Sequence, residues 1–167
     1  TATGDIHGAM DKLEYLKAMG MNAIELMPTQ EFDGNDSWGY NPCYFFAMDK
    51  AYGTTKDYKD FIDACHKEGI AVILDVVYNH TTNAANTGFE RTMPGYFYRM
   101  REDGTFCDGS GCGNETASEQ EMFRKYMVES LEWWMNEYHI DGFRFDLMAI
   151  HDIETMNLIS ERLHAID

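Results

Sequence analysis

One stretch decides the fold of this chain, and it reads Ile70-Ala71-Val72-Ile73-Leu74-Asp75-Val76-Val77. Almost every residue in it is apolar, and most are β-branched. A short run of this kind is typical of a strand that is covered on both faces in a parallel sheet. The stretch therefore predicts a buried parallel strand, with the carboxylate of Asp75 as its one polar side chain.

Helices and strands alternate on either side of this stretch. Apolar spacing predicts helices over residues 11–19, 55–68, 119–137 and 152–166, and further strands over 22–27 and 142–146. Such alternation indicates right-handed βαβ units and a parallel sheet. No Gly-rich phosphate loop follows a strand, so a nucleotide-binding fold is not supported. We expect an α/β architecture, either a doubly wound sheet or a piece of a (β/α)8 barrel, which needs about 250 residues.

The composition is that of a globular domain with a strong negative charge. The 167 residues are 44% hydrophobic and 14% aromatic, and the formal net charge is −16. This charge argues against nucleic acid and anionic membrane surfaces as partners, because phosphate groups attract basic patches. It fits a neutral or cationic ligand. No apolar run reaches the length of a membrane span, and no signal-peptide pattern opens the chain.

The cysteines and the chain ends bear on where the protein works. The four cysteines are scattered without metal-ligand spacing, although Cys107 and Cys112 flank a Gly-rich turn and are close enough in sequence to pair. We expect mostly free thiols, which fit a reducing compartment. The location is open between cytoplasmic and secreted, and the thiols favour the cytoplasm. Both ends, Thr1 and Asp167, are expected to lie inside a longer protein.

A second stretch carries paired charges, and it reads Gly142-Phe143-Arg144-Phe145-Asp146. Its period of two places Arg144 and Asp146 on one face of a strand. The cation would keep the carboxylate ionised, as a nucleophile requires. The alternative is a structural ion pair at a sheet edge, and this short segment alone favours that alternative.

Polar residues follow each predicted strand of the sheet. They are Trp38, Tyr40 and Asn41 after the first strand, Asp75, Tyr78, Asn79 and His80 at the second, and Arg144 and Asp146 at the third. Active sites of parallel α/β folds form at these carboxyl ends. A buried carboxylate such as Asp75 needs a partner, either an arginine or backbone donors. It belongs either to a network that orients the site or to the chemistry itself.

Two of these segments, Asp75–His80 and Gly142–Asp146, resemble the first two signature segments of the α-amylase family of glycoside hydrolases. Their order, the long excursion between them and the preceding Trp38-Gly39-Tyr40-Asn41 agree with that family. The resemblance implies that residues 1–167 are a fragment of one catalytic (β/α)8 barrel, roughly its second to fourth strands. The irregular stretch 81–118 falls where the family inserts a long loop.

Other segments narrow the resemblance. Residues 94–98, 109–119 and 151–157 are similar to type I pullulanases, whereas residues 46–54 are more similar to branching enzymes and amylases. The resemblance implies hydrolysis of α-glucosidic bonds in pullulan, starch or glycogen by a retaining mechanism. It favours α-1,6 bonds and leaves α-1,4 hydrolysis and glycogen branching open.

The resemblance also assigns roles to single residues. Asp146 would be the nucleophile, and Arg144 would hold it ionised and aimed. His80 would bind a sugar hydroxyl, and Tyr40 would stack under the sugar ring, with Trp38 as a further stacking platform.

The same resemblance makes Asp75 and Asn79 orienting residues. Asn79 is also similar to a calcium ligand of many family members, so calcium is possible although no cofactor is required. A neutral α-glucan is the expected partner, and it needs aromatic platforms and hydrogen bonds rather than a basic surface.

A retaining glycosidase needs a second carboxyl group about 5–5.5 Å from the nucleophile. Family members place that glutamate after the next strand, beyond Asp167. Glu115 and Glu119 are the local substitutes, but both lie near a helix start, where a carboxylate is ordinary. We therefore expect the isolated chain to be inactive. Two other classes stay open: a carbohydrate-binding fragment without catalysis, and a metal-dependent hydrolase built on Asp75, His80 and Asp146.

Overall fold

The predicted helices and strands are present in the computed structural model, which describes residues 4–166 except for the side chain of Asn86. Thr1 and Asp167 lie outside the described residues. The helices are α1 Ile6–Met10, α2 Leu13–Ala18, α3 Thr55–Lys67, α4 Gly88–Thr92, α5 Glu121–Tyr138 and α6 Ile153–His164. The strands are β1 Ala23–Leu26, β2 Gln30–Phe32, β3 Pro42–Met48, β4 Ala71–Val76 and β5 Gly142–Phe145. Short 3₁₀ helices span Ala84–Asn86 and Met148–Ile150.

A three-stranded parallel sheet forms the centre, in the order β1-β4-β5. The middle strand β4 is the apolar stretch that the sequence singles out, and Val72, Leu74 and Val76 in it are fully buried. The register pairs Asp75 of β4 with Arg144 of β5. Paired residues of neighbouring parallel strands point to the same side, so this register brings the two charges together.

The helices cover the sheet largely as their apolar spacing predicts. Helix α3 begins with a capping box between Thr54 and Asp57, which satisfies backbone donors at the helix start. All four residues of its predicted apolar face are buried, namely Tyr58, Phe61, Ile62 and Cys65. Helix α5 ends at Tyr138, and the next residue, His139, has a left-handed φ of 57° before the chain enters β5.

Three large apolar residues of the predicted helices are exposed instead. Tyr15 is 61% exposed, Met122 is 51% exposed and Ile153 is 78% exposed. Met122 and Ile153 lie in the first turns of α5 and α6.

Strand β2 forms a hairpin with β3, and a loop over residues 33–41 joins the two strands. Strands β2 and β3 pair antiparallel, with register shifts on both sides of Glu31. The burial of β3 does not alternate with period two, so the sequence carries no strand signal there. The hairpin covers the second face of the core, where Phe45 stacks on Tyr78 with ring centroids 5.0 Å apart.

The stretch 81–118 is irregular, as expected, but it is well packed. It contains α4, the 3₁₀ turn and two isolated antiparallel bridges, Tyr98 to Thr116 and Met100 to Phe106. Phe89 of α4 contacts the rings of Phe97 and Tyr126. That this stretch corresponds to an inserted loop of one barrel domain stays a prediction.

Two further observations concern cysteines and membranes. All four cysteines are free thiols. Within residues 4–166, no helix is both long enough and apolar enough to cross a membrane.

Candidate active site

Asp75 has the arginine partner that its buried position requires. Arg144 Nη1 donates to both carboxylate oxygens of Asp75, at 3.0 and 2.9 Å. Tyr40 Oη donates to Asp75 Oδ2 at 2.7 Å. Asp75 is only 2% exposed, so its charge is compensated within the protein rather than by water.

Asp146 directly follows β5 and is held from two sides. Arg144 Nη1 donates to its Oδ1 at 3.1 Å. Asn79 Nδ2 donates to its Oδ2 at 3.1 Å and to its backbone oxygen at 2.9 Å. The carboxylate is therefore fixed in orientation and still partly open to solvent, as a reacting group must be.

His80 closes the network into a ring. Its Nδ1 lies 2.6 Å from Asn79 Oδ1, and its Nε2 lies 2.8 Å from the backbone oxygen of Tyr40. The Asn79 amide nitrogen is committed to Asp146, so its oxygen must face His80. Both ring nitrogens of His80 thus meet acceptors, and a neutral ring can donate to only one of them.

The electrostatics agree with these roles. The hydrogen bond to Asp75, together with burial, raises the pKa of Tyr40 to about 12, so Tyr40 stays a neutral donor. The hydrogen bond to Asp75 also raises the pKa of Arg144, which keeps it a permanent cation beside Asp146. Burial lowers the pKa of His80, and the Tyr40 carbonyl and Asp146 oppose this effect.

The structure thus joins six of the seven predicted site residues in one network: Tyr40, Asp75, Asn79, His80, Arg144 and Asp146. Trp38 lies apart from it. Its side chain is 78% exposed in the loop two residues before Tyr40. Its stacking role stays a prediction, as do the individual roles of the other six.

Glu115 and Glu119, the two local candidates for the second carboxyl group, form ion pairs with Arg99. Arg99 donates to Glu119 through Nε and Nη2, and its Nη1 lies 3.3 Å from Glu115 Oε1. The N-cap of α5 is Gln120, without a side-chain cap. An ion pair with Arg99, rather than a helix start, therefore explains both carboxylates.

Three residues that hydrogen-bond to the backbone near the site were not predicted from the sequence. Asn114, Thr116 and Ser118 are buried polar residues of the irregular stretch. They bond to the backbone near His80 and Asp152. In the sequence, the Gly-rich turn 109–113 indicated a tight loop, but it gave no indication of which residues the loop contacts.

The atoms of this site that could bind a metal ion already have partners within the protein. Asn79 Oδ1, the atom that a calcium ion would need, already faces His80 Nδ1. Arg144 Nη1 already lies against the carboxylates of both Asp75 and Asp146. Across residues 4–166, no group of three or more His, Cys, Asp or Glu is placed to hold a metal ion.

Comparison with known proteins decides the family. The family model described as the alpha-amylase catalytic domain matches residues 1–95. The chain belongs to the α-amylase family. Its three parallel strands correspond to part of the (β/α)8 barrel of that family.

Relatives within the α-amylase family extend the match to nearly the whole chain. The pullulanase of Bacillus subtilis is 39% identical over 178 residues, covering 97% of this chain and 25% of the relative. A malto-oligosyltrehalose trehalohydrolase from Saccharolobus solfataricus is 38% identical over 156 residues, covering 92% and 26%.

Solved structures agree with these sequence matches. The pullulanase from Paenibacillus barengoltzii, in complex with maltohexaose and α-cyclodextrin, superposes with a TM-score of 0.89 at 38% identity. That match covers 93% of this chain and 27% of the other. The chain thus spans about a quarter of the length of the relatives that it matches.

Proposed function

We propose that the full-length enzyme containing this chain hydrolyses α-glucosidic bonds in α-glucans such as pullulan, starch or glycogen, with α-1,6 bonds favoured. One observation carries the proposal. The Asp146 carboxylate lies at the end of β5, aimed by Arg144 and Asn79, and His80 lies against both Asn79 and Tyr40. The names of the relatives support the substrate class, since pullulanases, isoamylases and a trehalohydrolase are among them.

The proposed reaction is a double displacement. The Asp146 carboxylate attacks the anomeric carbon, the glycosidic bond breaks, and a general acid gives its proton to the departing oxygen. Water then attacks the glycosyl-enzyme, the same carboxyl group takes its proton, and Asp146 leaves. Two inversions at one carbon retain its configuration.

Asp75 is not the second carboxyl group of this scheme. It is buried, and Arg144 and Tyr40 occupy both of its oxygens. Its role is to hold Arg144, which in turn faces Asp146. The general acid is expected after the next barrel strand, as the family resemblance implies.

Tyr40 and His80 are the residues of the network that we expect to contact the substrate. Tyr40 is neutral and half-buried, and its ring is suited to stacking under a sugar. His80 Nε2 lies 2.8 Å from a backbone oxygen in the free protein and can instead bind a sugar hydroxyl. Trp38 is available as an outer platform. We expect the partner to be a neutral α-glucan, and neither nucleic acid nor a membrane.

Hydrolysis by this scheme uses no cofactor. Calcium at Asn79 would be structural, because that side chain touches the nucleophile and His80 rather than the departing oxygen. Dialysis against EDTA is therefore expected to leave kcat unchanged within about twofold. A large loss of kcat that added calcium restores would show that calcium is required.

The decisive variant is Asp146→Asn in the full-length enzyme, assayed on pullulan. Removing a nucleophile is expected to lower kcat by roughly 10⁴-fold or more with little change in KM, since covalent catalysis is lost and binding is kept. Asp103→Asn, an exposed carboxylate in the irregular stretch, is the matched control and should keep kcat within about twofold. Equal kcat for both variants would overturn the proposal.

Bond specificity is tested with matched substrates. Release of maltotriose from pullulan with no cleavage of linear amylose would indicate α-1,6 hydrolysis. The reverse would indicate an α-1,4-acting amylase, and new branch points would indicate a branching enzyme. Saturable maltooligosaccharide binding without turnover, lost in Tyr40→Ala and His80→Ala, would instead indicate a non-catalytic carbohydrate-binding protein.

A further inference from the structure

The end of the irregular stretch, residues 114–119 (the return limb), runs along the loop that carries His80. Thr81 N donates to Asn114 Oδ1 at 3.0 Å, and Asn114 Nδ2 donates to the Thr81 oxygen at 2.8 Å. Thr116 N donates to the Asn79 oxygen at 3.0 Å. Asn114, Thr116 and Thr81 are buried, so these bonds do not compete with water. The return limb fixes the backbone on both sides of His80.

The same limb holds the segment that follows Asp146. Ser118 Oγ accepts from Asp152 N at 2.9 Å. Glu115 and Glu119 orient Arg99, whose Nη1 donates to the Ile150 oxygen at 2.7 Å. The Asp146 segment is therefore tied at its far end to the limb that supports His80.

The segment between these two ties needs support. Leu147, directly after Asp146, has a φ of 45°, a left-handed conformation that a branched side chain disfavours. Such strain persists only where the surroundings enforce it. Asn79 Nδ2 holds the near end through the Asp146 oxygen, and Arg99 holds the far end through Ile150.

We propose that Arg99 and Asn114 are positioning residues of the reaction. Through the return limb they set the distance between the Asp146 carboxylate and the Asn79–His80 pair. They do not touch the sugar themselves. This proposal rests on the hydrolytic function proposed above, because it assigns these two residues a part in that reaction.

The test compares two arginines of the same stretch in the full-length enzyme. Arg99→Gln removes the tie to Ile150. Arg101→Gln makes the same charge change, but the Arg101 side chain hydrogen-bonds to Thr105 and the Phe106 oxygen within its own turn. A misplacement of about 1 Å in a reacting group costs up to roughly 100-fold in rate. We therefore expect Arg99→Gln to lower kcat roughly 10- to 100-fold with KM within about threefold, and Arg101→Gln to change kcat less than about twofold.

A second readout separates positioning from loss of fold. The rate at which a fluorinated maltosyl fluoride labels Asp146 should fall in Arg99→Gln in parallel with kcat, while the unfolding midpoint stays near that of Arg101→Gln. If Arg99→Gln does not fold, Arg99→Lys replaces it, because lysine keeps the charge beside Glu115 and Glu119 but lacks the planar fork. Asn114→Ala should show the same fall in kcat, with exposed Asn83→Ala as its control.

The outcomes distinguish the two proposals. Equal kcat in Arg99→Gln and Arg101→Gln, in an enzyme that Asp146→Asn inactivates, overturns the positioning role alone. Loss of kcat only in proportion to the unfolded fraction also overturns it. An enzyme that hydrolyses no α-glucan, or that keeps its activity in Asp146→Asn, overturns the proposed function.

Discussion

At the scale of single residues, Asp75 and Arg144 are unequal partners. The side chain of Asp75 is 3% exposed and that of Arg144 is 44% exposed. Water can therefore solvate Arg144 when its partner is lost, but it cannot reach Asp75. The stability of the pair depends on which member is removed.

Arg144→Gln is expected to destabilise the full-length enzyme by about 3 kcal/mol, since it leaves a buried carboxylate without its cation. Asp75→Asn should cost less, about 1 kcal/mol, because Tyr40 keeps an acceptor. Exposed Arg91→Gln is the control and should stay within about 0.5 kcal/mol. Denaturant unfolding measures all three, and an Asp75→Asn loss equal to that of Arg144→Gln would contradict the asymmetry.

His151 makes stability depend on pH. Burial and the nearby Arg99 charge lower its pKa to about 4, while Asp152 and Glu119 oppose the shift. The unfolded chain binds this proton near pH 6.5 and the folded chain does not. The contribution of His151 is therefore complete above about pH 6.5 and is lost as the pH falls towards 4.

The matched variant is His151→Phe, which keeps a ring and removes the titration. Between pH 7 and pH 4.5 the parent should lose on the order of 2 kcal/mol more of its unfolding free energy than this variant. Parallel pH profiles for the two proteins would show that His151 is not the group responsible.

The site residues could largely be read from the sequence because their signals are local. Asp75 breaks an apolar run, and Arg144 and Asp146 alternate with aromatic residues. Their contacts could not be read in the same way. The bonds between Asn114 and Thr81 and between Arg99 and Ile150 join residues 33 and 51 positions apart. No local sequence pattern predicts contacts between residues so far apart.

At the scale of secondary-structure elements, the β2–β3 hairpin is the main feature that sequence periodicity missed. Its first strand has three residues, and register shifts disturb its pairing. The hairpin nevertheless places Tyr40, because the chain between its strands passes through Gly39 against the Pro28 backbone. At Gly39, with φ of 91°, a Cβ would lie 2.1 Å from the Pro28 oxygen.

Gly39→Ala is therefore expected to be far more damaging than Gly34→Ala. Gly34 has a similar φ of 83° but nothing within 4 Å of an added Cβ. We expect Gly34→Ala to cost about 1 kcal/mol from backbone strain alone. Gly39→Ala should cost at least 2 kcal/mol more and lower kcat as Tyr40 moves. Equal unfolding midpoints would argue that the Pro28 contact does not constrain the loop.

At the scale of the whole molecule, the sheet has two open edges, β1 and β5. Beside β5 lies a groove of about 320 Å³. Its apolar lining includes Phe143, Phe145 and Met156. An unpaired strand edge beside apolar side chains favours association.

The isolated 167-residue chain is accordingly expected to self-associate and to show no α-glucan hydrolysis. Sedimentation velocity should find oligomers or aggregates, while the full-length enzyme sediments as a defined species. A monodisperse chain with one cooperative unfolding transition would contradict the expectation for association. Hydrolysis by that chain, abolished in Asp146→Asn, would contradict the need for a second carboxyl group from elsewhere.

The parallel sheet could be predicted from the sequence because alternating helices and strands are a local pattern, whereas the partial barrel was implied by the family resemblance. The packing of the irregular stretch could not be predicted, since its bridges and ring contacts have no period. Residues 81–118 are irregular, as expected, and their end hydrogen-bonds to the segments that follow β4 and β5.

The proposed reaction depends most on Asp146 as the nucleophile. The most direct test of that role is to incubate the full-length enzyme with a fluorinated maltosyl fluoride, digest it, and locate the covalent label by mass spectrometry. We expect one glycosyl label on the Asp146 carboxylate, absent from Asp146→Asn. A label on another residue, or full hydrolysis by Asp146→Asn, would contradict it.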